Sequence, residues 1–213
     1  MDEYIAAAVV IGNEGTAVLV ASTPSVIYAL ASSPMLIFAL FALELGMVIW
    51  MSARIHKMAA TTAGILFALY AVLNGVTMSF IFLAYAMESI ATTFLITAGT
   101  FGAMTLVGYT TKKDLSALGR TLMMLLIGLI IATLVNLFVA SSGLAVILNY
   151  AGVLIFVGLT AYDTQKIKQL VEYASATGDE EQTTKLALMG SLTLYLDFIN
   201  LFLYLLRIFG RRR

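Results

Sequence analysis

The sequence lacks cysteine and has little charge, proline or histidine. Of its 213 residues 11% are charged, two are proline and one is histidine. Without cysteine there is no disulfide framework, no thiolate nucleophile and no cysteine-ligated zinc or iron–sulfur site. A single histidine excludes a multi-histidine metal site and disfavours a Ser-His-Asp triad. The 12 basic residues balance 12 acidic ones, so the chain has no basic field for binding nucleic acid.

Apolar residues are what the chain has in excess. They make up 61% of the sequence, whereas a soluble domain has about 45–50% apolar and about 25% charged residues. Too few polar side chains remain to cover a water-soluble globule of this length. The composition therefore predicts an all-α, polytopic membrane bundle, with the lipid bilayer as its first partner.

Six apolar runs are long enough to cross a bilayer, which takes about 20 residues. They are Met35–Ala53, Ala63–Ala86, Ile90–Thr110, Thr121–Ala140, Leu144–Tyr162 and Leu186–Leu206. An earlier stretch, Ile5–Ala31, is interrupted by Asn13 and Glu14 and predicts a weak, tilted or partly interfacial first span, for about seven in all. No linker divides the chain, so we predict one membrane domain over residues 1–213, with residues 1–33 atypical.

Local patterns predict where the last two helices end and begin. After Tyr162, charged residues alternate with apolar ones, which indicates that the helix continues past the membrane as an amphipathic segment. Gly178 is expected to end it. Asp179 with Gln182 three residues later is a capping-box pattern that predicts the start of the last helix.

Basic residues predict the orientation of the chain. Eight of them lie in three connections that a seven-span chain places on one side: Arg54, Lys57, Lys112, Lys113, Arg120, Lys166, Lys168 and Lys185. Basic residues in short loops favour the cytoplasmic side, so we predict a cytoplasmic-membrane protein with a cytoplasmic N-terminus. The basic tail Arg207–Arg213 then lies outside, against the rule, unless the last helix is re-entrant.

Small residues four positions apart occur in two of the spans. Ala98 with Gly102, and Gly99 with Ala103, form two such pairs in one span, and Gly75 with Ser79 forms another in the span before it. Each pair allows close helix contact in a membrane, but apolar helices rich in alanine and glycine also produce this spacing by chance.

A polar stripe runs along the last apolar run. Gly190, Thr193, Asp197, Asn200 and Tyr204 recur three or four residues apart and share one helical face. Such a stripe must face protein or water, because an ionisable group is costly in lipid. The stripe is either a row of hydrogen bonds between packed helices or a functional site. A structural role would need only a neutral amide in place of Asp197, so the carboxyl group there favours the functional interpretation.

Three further charged residues lie in or near the spans. Asp163 ends its apolar run and is either a solvated interfacial carboxylate or a functional one. Glu44 lies in the middle of its run and is either a neutral buried acid or a pore-lining group. Arg54 follows the same run and is either a lipid anchor or a partner for Asp163.

Two carboxyl groups on neighbouring late helices can do specific chemistry. If Asp163 and Asp197 meet, they share a proton, because two close negative charges repel. When both ionise they offer oxygen ligands to a hard cation such as Ca²⁺. Contact requires the sixth span to be buried more deeply than its apolar run suggests, or a water-filled vestibule that reaches Asp197.

Intramembrane aspartyl proteases also carry one aspartate on each of two late spans. The dipeptide Tyr162-Asp163 matches their first motif. The second departs, because Leu194–Asp197 stands where a Gly-x-Gly-Asp pattern is expected, and no Pro-Ala-Leu element follows. Proteolysis is therefore the weakest alternative, and we expect no enzyme activity.

Two segments, Gly158–Ile167 and Ser191–Phe202, resemble the transmembrane Bax inhibitor motif family. The segments Thr100–Met104 and Gly108–Leu115 resemble its bacterial branch. The similarity extends over about residues 34–209.

The resemblance implies a fold and a function. It implies a seven-helix bundle with the last helix central, and a pH-sensitive calcium leak. Asp163 and Asp197 match the family's pH sensor, Arg54 matches a latch that competes for Asp163, and Glu44 matches a glutamate of the permeation path. We place Asp197 and Asn200 on that path as well.

The resemblance also bears on ligands and partners. We expect no tightly bound cofactor. Ca²⁺ is expected to be the permeant ion and to bind weakly to Asp163 and Asp197. Protons are expected to be the ligand that gates the leak. The alternative function is a non-transporting regulator that binds other membrane proteins, such as an ATP-dependent membrane protease.

Overall fold

The computed structural model describes residues 15–17, 19–23, 25 and 32–213. Residues 32–213 form α1 (Pro34–Arg54), a 3₁₀ turn (Ile55–Lys57), α2 (Ala60–Ala84), α3 (Met87–Thr110), α4 (Ser116–Val139), α5 (Ser142–Ala176) and α6 (Glu180–Phe209). The described residues contain no strand, only an isolated bridge that pairs Tyr85 with Arg212. The predicted all-α membrane bundle is confirmed.

Helices α2 to α6 are each long and apolar enough to cross a membrane. Helix α1 has 21 residues, which corresponds to about 30 Å at 1.5 Å per residue. Large apolar side chains lie on the outside, as with Phe138, which is 90% exposed, and lipid is the solvent that suits such a surface. The predicted first span, Ile5–Ala31, lies mostly outside the described residues.

The predicted boundary between the last two helices is confirmed. Helix α5 continues without a break beyond Tyr162 to Ala176. Gly178 has a φ of 75°, a left-handed conformation that glycine adopts without strain. The carboxylate of Asp179 then accepts a hydrogen bond of 2.9 Å from the backbone amide of Gln182 and so caps α6.

The chain forms two compact units. The first contains the described residues up to Ala86 together with Tyr173–Ser191 and Arg212–Arg213, and the second contains Met87–Glu172 and Leu192–Arg211. The last four residues of α5 (Tyr173–Ala176) and the first twelve residues of α6 (Glu180–Ser191) thus belong to a different unit from the remainder of each helix.

Each unit has an apolar core to which α6 contributes. In the first unit Leu188 packs with Ile55 and Ala63. In the second unit Leu201, which is fully buried, belongs to a larger cluster. That cluster consists of Leu122, Leu129, Leu148, Ile155, Phe156, Leu159, Leu201 and Leu205.

The end of the chain lies beside the α2–α3 connection. The amide of Arg213 donates to the carbonyl of Ala84 at 3.1 Å, and the amide of Arg211 donates to the Ser89 hydroxyl at 3.1 Å. Helix α6 reaches this point as one unbroken helix of 30 residues, long enough for a full crossing. The predicted side of the membrane for the tail stays a prediction.

The glycines of the pairs Ala98/Gly102 and Gly99/Ala103 make no close contact with a described neighbour. Among the described residues, nothing would lie within 4 Å of a Cβ at Gly99 or Gly102. The close approaches occur further along, where a Cβ at Gly108 would overlap the carbonyl of Ala161 and one at Gly119 would overlap the ring of Tyr162. Spacing alone predicted small residues on a shared face, but helix rotation decides which face meets a neighbour.

Candidate functional site

Helices α5 and α6 bring Asp163 and Asp197 together within the second unit. Their carboxyl groups are hydrogen-bonding neighbours. Asp197 is 5% exposed and Asp163 is half-buried. The two residues therefore meet, which the sequence left open, and Asp163 lies within a continuous helix rather than at its end.

The oxygens of the aspartate pair are not fully satisfied by protein. Oδ2 of Asp197 is buried and has no hydrogen-bond partner among the described residues. Lys166, one turn after Asp163, supplies the nearby positive charge that acts on the Asp163 carboxyl. Two close carboxyls of this kind exchange a proton as a unit, and they can offer oxygens to a passing cation.

Aromatic rings pack along α6 after Asp197. The ring of Phe198 lies edge-on between Phe94, at 5.5 Å, and Phe101, at 5.4 Å. Further along α6, the ring of Tyr204 stacks on Phe156 at 5.8 Å. These contacts pack this part of α6 against α3 and α5. The 5% exposure of Asp197 and the stacking of Tyr204 on Phe156 agree with the prediction that their stripe faces protein or water and not lipid.

Gln165 is a functional candidate that the sequence did not reveal. Its side chain is 7% exposed and its amide oxygen accepts from the Leu115 amide at 2.9 Å. Its amide nitrogen donates to the carbonyls of Lys113, at 2.9 Å, and Thr111, at 3.5 Å. Gln165 thus fixes the connection between α3 and α4 to α5, two residues after Asp163. Its polar type in a polar segment gave no signal of this role.

Glu44 is the buried acid of the first unit. It is 7% exposed on α1, and each of its carboxyl oxygens accepts a hydrogen bond from α2. Thr77 donates to Oε1, and Asn74 donates to Oε2 at 3.4 Å. Tyr70, also on α2, lies near enough for the Glu44 charge to act on it. The three partners were missed because nothing in the sequence says which α2 residues face α1.

The remaining predicted site residues are less closely engaged. Arg54 ends α1 with an exposed side chain, and its pairing with Asp163 stays a prediction. The Asn200 side chain turns back on its own helix and donates to the Leu196 carbonyl at 2.8 Å. Within the part of the chain that the structure describes, no three His, Cys, Asp or Glu side chains cluster as metal ligands.

Comparison with known proteins places these features in a family. The family model described as "Inhibitor of apoptosis-promoting Bax1" matches residues 4–213. Among curated proteins, Inner membrane protein YbhL of Escherichia coli (strain K12) is 50% identical over 193 residues, which cover 91% of this chain and 82% of the relative.

Two further relatives come from other bacteria. A protein of Borreliella burgdorferi is 48% identical over 182 residues, covering 85% of this chain and 78% of the relative. Protein RP147 of Rickettsia prowazekii is 48% identical over 169 residues, covering 79% and 70% respectively. Together with the apolar helices, the likeness to an inner membrane protein identifies a multi-pass protein of the inner membrane. The chain belongs to the Bax inhibitor family.

Proposed function

We propose that the chain is a pH-sensitive calcium leak of the inner membrane, gated by Asp163 and Asp197. The observation that carries the proposal is the hydrogen-bonding contact between these two carboxyls at a site where Asp197 is 5% exposed. A structural seam would be served by neutral amides, whereas paired acids create a site whose charge depends on pH.

The proton held by the pair sets how tightly α5 and α6 associate. With one shared proton, the two carboxyls attract through a hydrogen bond and the helices stay closed. As the pH rises both ionise, and two unit charges about 4 Å apart repel by about 4 kcal/mol near a protein surface. The contact then opens, and Arg54 is proposed to stabilise the open form by pairing with Asp163.

Calcium is the cargo in this proposal and not a resident ion. Ca²⁺ takes about six to eight oxygen ligands, and the ionised pair supplies only part of such a set. Weak binding of this kind favours passage over retention. Glu44 and Asn200 are proposed to contribute further oxygens along the path, and no residue is assigned a catalytic role.

The topology is part of the proposal. The N-terminus and the three basic connections are proposed to lie in the cytoplasm. Reporter enzymes fused within Lys112–Asp114 and after residue 213 test this, because the first is expected to report the cytoplasm and the second the opposite side. A cytoplasmic signal from both would overturn the seven-span orientation.

Reconstituted liposomes loaded with a calcium dye test the function. Wild-type protein is expected to leak more Ca²⁺ as the pH rises, and Asp163→Asn and Asp197→Asn are each expected to abolish that pH response. Asp114→Asn, which changes an exposed aspartate of the α3–α4 connection, is the matched control and is expected to behave as wild type.

Other outcomes decide against the proposal. An unchanged pH response in both amide variants would refute the gating mechanism. Absence of any wild-type flux would refute the leak, and a membrane protein that co-purifies would then favour the non-transporting regulator. Cleavage of a transmembrane peptide that depends on both aspartates would favour a protease instead.

A further inference from the structure

One face of α5 packs against α3 and the α3–α4 connection, and Asp163 lies on the opposite face. At about 100° per residue, Ala161, Gln165 and Lys168 lie within about 60° of one another on the helix. Asp163 lies about 160° from Gln165, on the other side. The contacts made by the first face therefore determine where Asp163 points.

Packing makes this face of α5 specific for its neighbours. The carbonyl of Ala161 lies so close to Gly108 that any side chain there would overlap it. The ring of Tyr162, at the edge of this face, lies almost as close to Gly119 at the start of α4. With glycine at both places, α5 approaches α3 and α4 closely and has little freedom to rotate.

Polar contacts hold the same face at the end of α3. Lys168 donates to the Tyr109 carbonyl at 3.1 Å, and its ammonium lies 4.3 Å from the centre of the Tyr109 ring. Gln165 adds its three hydrogen bonds to Thr111, Lys113 and Leu115. The segments Gly108–Leu115 and Gly158–Ile167, both noted in the sequence, therefore bind each other.

We propose that Gln165, by fastening the connection Thr111–Leu115 to α5, sets the rotation of α5 and so positions Asp163 against Asp197. Gln165 is a positioning residue and touches neither a proton nor an ion of the aspartate site. The inference deepens the proposed function by naming what holds its gating pair in register.

Among the described residues, the charged groups that act on the Asp163–Asp197 pair are the two carboxyls themselves and Lys166 on α5. Helix α3 presents the uncharged rings of Phe94 and Phe101 to α6. Coupled carboxyls lose their protons as a pair, so removing one of them shifts the titration of the other, whereas carboxyls moved apart titrate independently. The shift that Asp163→Asn causes in the titration of Asp197 therefore measures whether Asp163 faces Asp197.

Infrared titration of the reconstituted full-length protein tests the proposal without relying on ion flux. The C=O stretch of protonated carboxyls is followed against pH, and the contribution of the pair is assigned by its loss in Asp197→Asn. Gln165→Met keeps the size of the side chain and removes its hydrogen bonds. In Gln165→Met, adding Asp163→Asn is expected to shift the Asp197 titration by less than about one pH unit, whereas in the otherwise wild-type protein the shift is expected to exceed about one unit.

A spin label measures the mobility of the α3–α4 connection in the same samples. Because the chain has no cysteine, Lys112→Cys supplies a single label in the connection, and Gln165→Met is expected to mobilise it. Gln169→Met is the matched control, since Gln169 lies exposed one turn further along α5, and it is expected to match wild type in both measurements. Gln165→Asn, whose amide is one carbon too short to reach the loop, serves if Gln165→Met does not fold.

The outcomes separate this inference from the proposed function. An undiminished effect of Asp163→Asn on the Asp197 titration in Gln165→Met and Gln165→Asn, with a mobilised loop, would overturn the positioning role. Absence of that effect in the otherwise wild-type protein would also overturn it, because no coupled pair would then exist to position. An effect that depends on Gln165, in a protein without calcium leak, would refute the proposed function and support the inference.

Discussion

Glu44 in the first unit and Asp197 in the second are similarly buried, at 7% and 5% exposed, but their oxygens have different partners. Both Glu44 oxygens accept hydrogen bonds from neutral side chains of α2. Asp197 faces a second carboxyl, and its Oδ2 has no partner among the described residues. Burial alone therefore does not distinguish an acid held by neutral donors from one that faces a second carboxyl; the neighbouring side chains do.

The largest expected effect comes from changing each acid to its amide. Asp197→Asn is expected to remove the pH response of calcium leak, because the pair loses its second ionisable group. Glu44→Gln is expected to keep the pH response and lower the leak at every pH by about tenfold, equivalent to about 1.4 kcal/mol. Dye-loaded liposomes over a pH series measure both, and a lost pH response in Glu44→Gln would erase the distinction between the sites.

Adding one methyl group to a glycine near each site sharpens the comparison. Gly108→Ala is expected to destabilise the protein by about 1–3 kcal/mol, because the new Cβ overlaps the Ala161 carbonyl. Gly46→Ala, two residues after Glu44, is the control, since no described residue lies within 4 Å of its Cβ. Denaturant unfolding in detergent gives both values, and equal stability of the two variants would contradict the close packing at Gly108.

Two threonines whose hydroxyl groups are buried offer a smaller and closely matched test. Thr77→Val removes a donor to Glu44 and is expected to cost about 1 kcal/mol. Thr105→Val is expected to cost nothing or to stabilise, because the Thr105 hydroxyl is buried without a partner among the described residues. Thermal unfolding measures both variants. If Thr105→Val lowers the unfolding temperature more than Thr77→Val does, the expectation that the Thr105 hydroxyl makes no stabilising hydrogen bond is contradicted.

The smallest effect is expected at an exposed acid. The side-chain hydroxyl and backbone amide of Ser116 donate to Asp114 and hold the pKa of its carboxyl below its usual range. The resulting stabilisation is present above the unfolded-state pKa of about 3.9 and disappears as the pH falls through the lower folded-state value. The unfolding temperature of wild type is thus expected to be slightly higher than that of Asp114→Ala at neutral pH, and the two temperatures are expected to become equal in acid. A difference in unfolding temperature that does not change with pH would contradict this.

Much of the fold was predictable because a lipid environment leaves few options for the backbone. Apolar runs of sufficient length must be helices there, and the structure has helices at all six predicted runs from Met35 onward. The cap at Asp179 and the extension of α5 to Ala176 follow from local chemistry that the sequence states directly.

The buried acids were predictable as well, but their partners were not. A carboxylate in an apolar run is conspicuous, so Glu44 and Asp197 were evident from composition. Thr77 and Gln165 are ordinary residues whose roles depend on the rotation of one helix against another. The same rotation explains why Gly108, and not Gly102, makes the close contact.

The hydrogen bonds at the end of the chain have a practical consequence for tagging. The main chain at Arg211 and Arg213 already donates to Ser89 and Ala84, so a bulky fusion joined directly after residue 213 would compete with the corner between α2 and α3. A flexible spacer should precede any affinity handle or fluorophore placed there. Without the spacer, purification through such a tag would favour molecules in which the hydrogen bonds to Ser89 and Ala84 are broken.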